Sequence, residues 1–136
     1  VRHPARRVPS LSGRQRRDET MSITKVLAAV PVADIRASSD WYERLLGGAA
    51  DDVPMAEAAE WYITTNGSLQ LVENPDRAGR SLVTLAVDDL DGQVEAIANR
   101  GVEVKVAEAP STMFRLASVI DPDGNVITFA EDIRSR

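Results

Sequence analysis

The chain has no cysteine, and that single absence removes disulfides, zinc-thiolate sites, iron–sulfur ligation and cysteine nucleophiles together. It has one histidine, His3, in a polar N-terminal stretch, so a Ser–His–Asp mechanism has no base in the rest of the chain. No run approaches the roughly 20 apolar residues that span a bilayer, and Val1-Arg2-His3-Pro4 has no apolar signal core. The expectation is a cytoplasmic protein with no membrane partner. Phosphate loops, dinucleotide glycine patterns, serine-nucleophile elbows and zinc motifs are missing too, and no cofactor is expected.

What is present is a globular balance: 136 residues, 43% hydrophobic and 27% charged, enough for one core. The net charge of −5 is unevenly spread. The first twenty residues carry six arginines against Asp18 and Glu19, whereas the remainder carries 10 basic and 19 acidic side chains. An acidic body repels nucleic acid, so no nucleic-acid partner is expected. Residues 1–20 read as a flexible basic tail: a functionless extension, a packing or dimer arm, or a polyanion contact. Met21-Ser22-Ile23-Thr24 reads as a natural beginning, and residues 21–136 as a single domain.

Within that domain the order of elements repeats. The run 26–32 suits a strand, with Pro31 near its end or at a sheet edge. Residues 34–46 place Ile35, Ser38, Trp41, Tyr42, Leu45 and Leu46 at helical spacing, and Gly47-Gly48 supplies the stop. Strands are expected at 49–53, 60–65 and 68–73, with Asn66-Gly67 as a tight turn of positive dihedrals. From Ser81 the sequence starts again: strand 81–87, helix 89–100, then strands 102–107, 114–120 and 125–131, the last two joined by Asp121-Pro122-Asp123-Gly124. A shift of 55 residues pairs Leu27 with Leu82 and Asp34 with Asp89, and a shift of 58 pairs 69–73 with 127–131. The expected class is α+β, two βαβββ modules at about 25–73 and 81–131.

Val32-Ala33-Asp34-Ile35, Trp41-Tyr42-Glu43-Arg44-Leu45-Leu46-Gly47 and Asp121-Pro122-Asp123-Gly124-Asn125-Val126-Ile127 together resemble the vicinal oxygen chelate superfamily. It includes glyoxalase I-like proteins, extradiol dioxygenases, fosfomycin-modifying proteins and bleomycin-binding resistance proteins. The resemblance implies a curved, cup-shaped mixed sheet and a homodimer in which modules of different subunits complete the clefts. It also implies, for many members, a divalent metal held by histidine or glutamate on the first strand of each module and a carboxylate on the last. The matching positions here are Leu27, Leu82, Gln70 and Thr128. Alkyl groups, an amide and a hydroxyl are a poor set for a divalent cation, so no metal is expected there. An unorthodox site would have to use Glu73, Glu131, Glu60 or Asp123.

Leu27 and Leu82 either fill core volume or give a ligand cavity its apolar surface, and Gln70 and Thr128 either are satisfied by neighbouring groups or orient a polar group of the ligand. Trp61 and Tyr62 face opposite sides of their strand, so one can line a cleft. Trp61 is the expected pocket residue, against a structural or subunit-contact role, with its indole nitrogen orienting a carbonyl; Phe114 is a second wall. Regular alternation puts Arg115 on the face opposite Phe114. Glu73 and Glu131, which are repeat-equivalent, point to a common structural or surface role. The leading expectation is metal-independent binding of a small molecule, aromatic or cationic, resembling antibiotic sequestration by bleomycin-binding proteins. The alternatives are a lyase, isomerase or dioxygenase with an altered site, or a non-catalytic structural or regulatory partner.

Overall fold

In the computed structural model, residues 22–108 and 112–134 are described; the basic N-terminal stretch lies outside them. Ten elements follow in the order β1 (Val26–Val32), α1 (Ile35–Leu46), β2 (Asp52–Met55), β3 (Ala58–Thr64), β4 (Gly67–Glu73), β5 (Leu82–Val87), α2 (Leu90–Asn99), β6 (Lys105–Val106), β7 (Phe114–Ile120) and β8 (Val126–Asp132). They make two βαβββ modules, each with its own mixed four-stranded sheet, ordered β1-β4-β3-β2 and β5-β8-β7-β6. In both, the first strand runs parallel to the last, because a helix returns the chain to the same end of the sheet, and the other pairs are antiparallel. Pro31 sits on β1, an edge strand, where a missing N–H costs no ladder bond.

Each helix begins the same way. Asp34 caps α1 by accepting from the N–H groups of Arg36 and Ala37 at 2.9 and 3.2 Å, and Asp89 caps α2 through Gly92 N–H at 3.1 Å. A glutamate at the end of the module's last strand then takes the next free donor: Glu73 accepts from Ile35 N–H and Glu131 from Leu90 N–H, both at 3.1 Å. Their shared role is structural. Helix α1 stops at Gly47, whose φ of 84° is costly for any residue with a side chain. Arg100, at the end of α2, donates through Nε to the Arg44 carbonyl and through Nη2 to the Leu45 carbonyl at 2.7 Å, so one module's helix closes the other's.

The helix-bearing faces of both sheets share one core. Val30, Val32, Trp61, Leu69 and Leu71 from the first sheet meet Ala117, Val119, Ile127 and Phe129 from the second, with Tyr42, Leu45, Leu90 and Ile97 from the helices between them. The Asp121–Gly124 turn pins the seam. Asp121 Oδ1 accepts from the N–H groups of Asp123, Gly124 and Asn125, each at 2.9 Å, while Oδ2 accepts from Tyr42 Oη and Asn125 Nδ2, both at 2.8 Å. Asn125 Nδ2 also reaches the Pro31 carbonyl at 2.9 Å.

Three expected elements differ. The hairpin between β3 and β4 pairs Thr64 with Gly67, so Thr65 and Asn66 form its tip, and neither Asn66 nor Gly67 takes a positive φ. An added Cβ at Gly67 would lie 2.9 Å from Thr64 Oγ1, so any larger residue there would have to turn the threonine side chain away. Strand β2 starts later than expected, because residues 48–51 serve the neighbouring strand: the Gly48 carbonyl accepts from Trp61 Nε1 and Asp51 N–H donates to the Glu60 carbonyl. Strand β6 is only Lys105–Val106, since Val102 N–H is still bound to the Ile97 carbonyl at the exit of α2.

Candidate functional site

Side chains alternate across a strand, so burying one face of each sheet in the common core turns the other face outward. In the first sheet the outward face carries rows of cross-strand neighbours. Leu27 lies beside Ser68, which lies beside Tyr62; Ala29 lies beside Gln70, which lies beside Glu60, with Asp52 beyond it on β2. In the second sheet the equivalent rows are Leu82–Val126–Ile120 and Thr84–Thr128–Ser118, flanked by Ala86–Ala130–Leu116, with Phe114 at the end of β7 on the same face. The internal repeat therefore survives at the level of single side chains: Leu27 and Leu82 correspond, as do Gln70 and Thr128.

Of the six residues expected to line a ligand site, five lie on these outward faces, in two groups. Leu27 and Gln70 are together on the first sheet; Leu82, Phe114 and Thr128 are together on the second. The chain does not enclose them: Leu27 is 42% exposed and Leu82 74%. The alternative that the two leucines fill core volume is corrected by this exposure, which follows from their being one residue out of phase with the buried Val30 and Val83 sides of their strands. Thr128 shares a hydrogen bond of 3.1 Å with Ser118, so its hydroxyl keeps capacity for one more partner. Phe114 stacks under the Arg134 guanidinium at 5.0 Å. Arg115 is on the core side, bound to Asp91 at 2.6 Å and 3.6 Å from Glu131, as alternation requires.

Trp61 is placed differently from the expectation. Its register opposite Leu69 turns it into the core, where it is 4% exposed and 6.2 Å from the Tyr42 ring. Its indole N–H is already given to the Gly48 carbonyl at 2.8 Å, so it cannot orient a ligand carbonyl. It borders a cavity of about 380 Å³ at the seam between modules, with Ile63, Leu85, Val87, Gln93 and Phe129. Tyr62, its neighbour, is the aromatic on the outward face.

Two charged groups on that face pair with each other, which the sequence reading did not foresee: it named Glu60 only as a candidate for an unorthodox metal site and gave Lys25 no role. Glu60 is 6% exposed, yet it belongs to the outward row beside Gln70. Lys25, just before β1, reaches over the sheet to bind the Glu60 carboxylate and holds its ammonium 4.5 Å from the centre of the Tyr62 ring. The hydrogen bond to Glu60 raises the Lys25 pKa, and the same bond lowers that of Glu60. Glu60 comes to stand beside Gln70 only through the observed hairpin register, with its shift between Tyr62 and Thr64, which no local signal in the sequence announces. Nothing in the sequence signals where Lys25 reaches.

The positions that hold a metal in related folds carry Leu27, Leu82, Gln70 and Thr128, which offer no imidazole and no carboxylate, and this donor set does not fit a divalent ion. The unorthodox candidates are engaged elsewhere: Glu73 and Glu131 at helix starts, Asp123 with Ala33 N–H at 3.1 Å, Glu60 with Lys25. Among the described residues no three His, Cys, Asp or Glu side chains are grouped to hold a metal. No helix of the described residues is long and apolar enough to cross a membrane.

Comparison with known proteins agrees with this architecture. A glyoxalase/bleomycin resistance protein from Catenulispora acidiphila DSM 44928 is 36% identical, with a TM-score of 0.74 over 79% of this chain and 96% of the other. TnmS3, an antibiotic binding protein from Streptomyces sp. CB03234, is 29% identical, with a TM-score of 0.64 over 78% of this chain and 93% of its own. A glyoxalase/bleomycin resistance protein from the same Streptomyces is also 29% identical, with a TM-score of 0.61 over 77% and 97%. No curated protein matches the chain. A sequence model matches residues 24–129, and the chain belongs to the glyoxalase/bleomycin resistance protein/dioxygenase superfamily.

Proposed function

We propose that this protein binds a small organic molecule without a metal, in clefts that two copies of the chain complete between them, and acts by sequestering that molecule or presenting it to a partner. The observation that carries the reading is the chemistry of the outward faces. At the four positions equivalent to a metal centre they offer two leucines, an amide and a hydroxyl, a combination that suits an apolar body bearing a few polar groups. The likeness to TnmS3, an antibiotic binding protein, supports an antibiotic or similar natural product as the ligand class.

The second copy is part of the same proposal. Leu82, Leu116 and Ile120 leave a cluster of apolar side chains on one sheet's outward face, and Leu27 with the Tyr62 ring leaves another on the other sheet. Exposed apolar area costs about 25 cal/mol per Å² relative to burial, so a twofold partner that lays one sheet's face over the other's gains stability and encloses the site. Thermal unfolding with and without panels of metabolites and glycopeptide-like drugs tests the function; selective stabilisation is expected. Light scattering at several concentrations should give twice the chain mass, and a persistent monomer without ligand response would remove the reading. Turnover that stops when a divalent ion is removed would favour the altered-site enzyme.

A further inference from the structure

The outward face of the first sheet holds a cation seat that is filled by the protein's own lysine. The Glu60 carboxylate lies at its floor, 6% exposed; the Tyr62 ring forms one wall, with Lys25 Nζ 4.5 Å from its centre; and Gln70 stands directly across the β3–β4 pair from Glu60. Asp52 lies opposite Glu60 on β2 and adds a second negative charge. Ser68, beside Tyr62 in the next row, is 5% exposed, and its hydroxyl, though next to Glu60, lacks a partner of hydrogen-bonding geometry.

A carboxylate under an aromatic face, with an unfilled hydroxyl and an amide at its edge, is a general recipe for an ammonium or guanidinium group. A buried carboxylate needs a counter-ion, and Lys25 supplies one when nothing else does. Lys25 is well suited to leave: it precedes β1 rather than lying within a strand, its side chain is 34% exposed, and its four-carbon stem is flexible. The repeat argues that the seat is not a requirement of the fold. The position equivalent to Glu60 in the second module is Ser118, which bonds to Thr128 and carries no charge, and that sheet has the same topology.

We propose that Glu60, Tyr62, Ser68 and Gln70 form the subsite for a cationic group of the ligand, and that Lys25 is an internal placeholder which the ligand's cation displaces. This rests on the small-molecule reading and names the ligand class: an amine or guanidine attached to an apolar or aromatic body that lies along Leu27. A placeholder weakens apparent affinity by the fraction of time that the seat is empty, so a lysine seated nine-tenths of the time costs about tenfold.

The test uses a matched pair, 4-phenylbutylamine and 4-phenylbutanol, titrated into the full chain and followed by NMR. The wild type should prefer the amine, and saturation should move the Lys25 Cε resonance toward its free-solution position. Lys25→Met should bind the amine about tenfold more tightly with the alcohol unchanged, and the neutral double variant Lys25→Met/Glu60→Gln should lose the preference. An unmoved Lys25 resonance in the amine-saturated wild type overturns the proposal without recourse to any variant, as does equal binding of amine and alcohol. If neutral aromatic compounds stabilise the protein while the amine has no advantage, the subsite fails and the small-molecule function stands; if nothing in either set binds, both fail.

Discussion

The hydroxyl of Tyr42 on α1 donates a 2.8 Å hydrogen bond to Asp121 in the β7–β8 turn, joining the two modules through a pair that is 79 residues apart in sequence. Both groups are buried, and the carboxylate uses its other oxygen to hold its own turn. Tyr42→Phe leaves Asp121 Oδ2 with Asn125 alone and is expected to lower stability by about 1–3 kcal/mol, the usual cost of an unmet buried acceptor. Asp121→Ala, which frees several backbone N–H groups as well, should cost more. Urea denaturation of the two variants gives the comparison.

Tyr42 also sets a pH dependence. Burial first, and the neighbouring Asp121 carboxylate second, hold its phenol far above the ordinary value of 10. Below pH 10 both folded and unfolded chains keep the proton, so the contribution is fully present. Above it the unfolded chain releases a proton that the folded chain retains, and stability should fall by about 1.4 kcal/mol per pH unit. Tyr42→Phe should flatten that part of the stability profile, and the slope difference between variant and wild type is the quantity to measure.

Glu73 and Glu131 test the repeat. They make the same bond to the start of a helix, but Glu131 is buried and Glu73 is exposed. Water can replace Glu73, so Glu73→Ala should cost about 0.3–1 kcal/mol. Glu131→Ala buries an unmet N–H at Leu90 and should cost about 1–3 kcal/mol. Equal losses in thermal unfolding would contradict the structural reading of the pair.

At the chain's C-terminal end, Arg134 bonds to Asp132 through both its side chain and its backbone N–H, which holds the carboxylate down to about 2. The favourable contribution is present above the ordinary carboxylate range and is lost as pH falls through about 2. An NMR titration of Asp132 should show that low midpoint, and Arg134→Ala should return it toward 3.8.

The repeat, both helices and most strands were legible because each rests on local chemistry. Asp34 and Asp89 announce helix starts, Gly47 announces a stop, and the offsets of 55 and 58 carry the pseudosymmetry. Leu27, Gln70, Leu82 and Thr128 entered through the resemblance and Phe114 as a second wall; which face of its sheet each takes came from the strand registers. Trp61 went astray because alternation says that it and Tyr62 differ in direction but not which one faces out; that is decided by the hairpin register opposite Leu69 and Ser68. The Lys25–Glu60 pair was out of reach for another reason, since it joins residues 35 apart through a flexible side chain rather than a backbone pattern.

The central claim is that the outward faces bind a small molecule without a divalent ion, and calorimetric titration of chelator-treated protein with the best compound from the unfolding panel tests it most directly. The account predicts saturable binding that is the same before and after chelation and is lost, along with the dimer, in Leu82→Arg. Binding or turnover that returns only when a divalent metal is restored would contradict it.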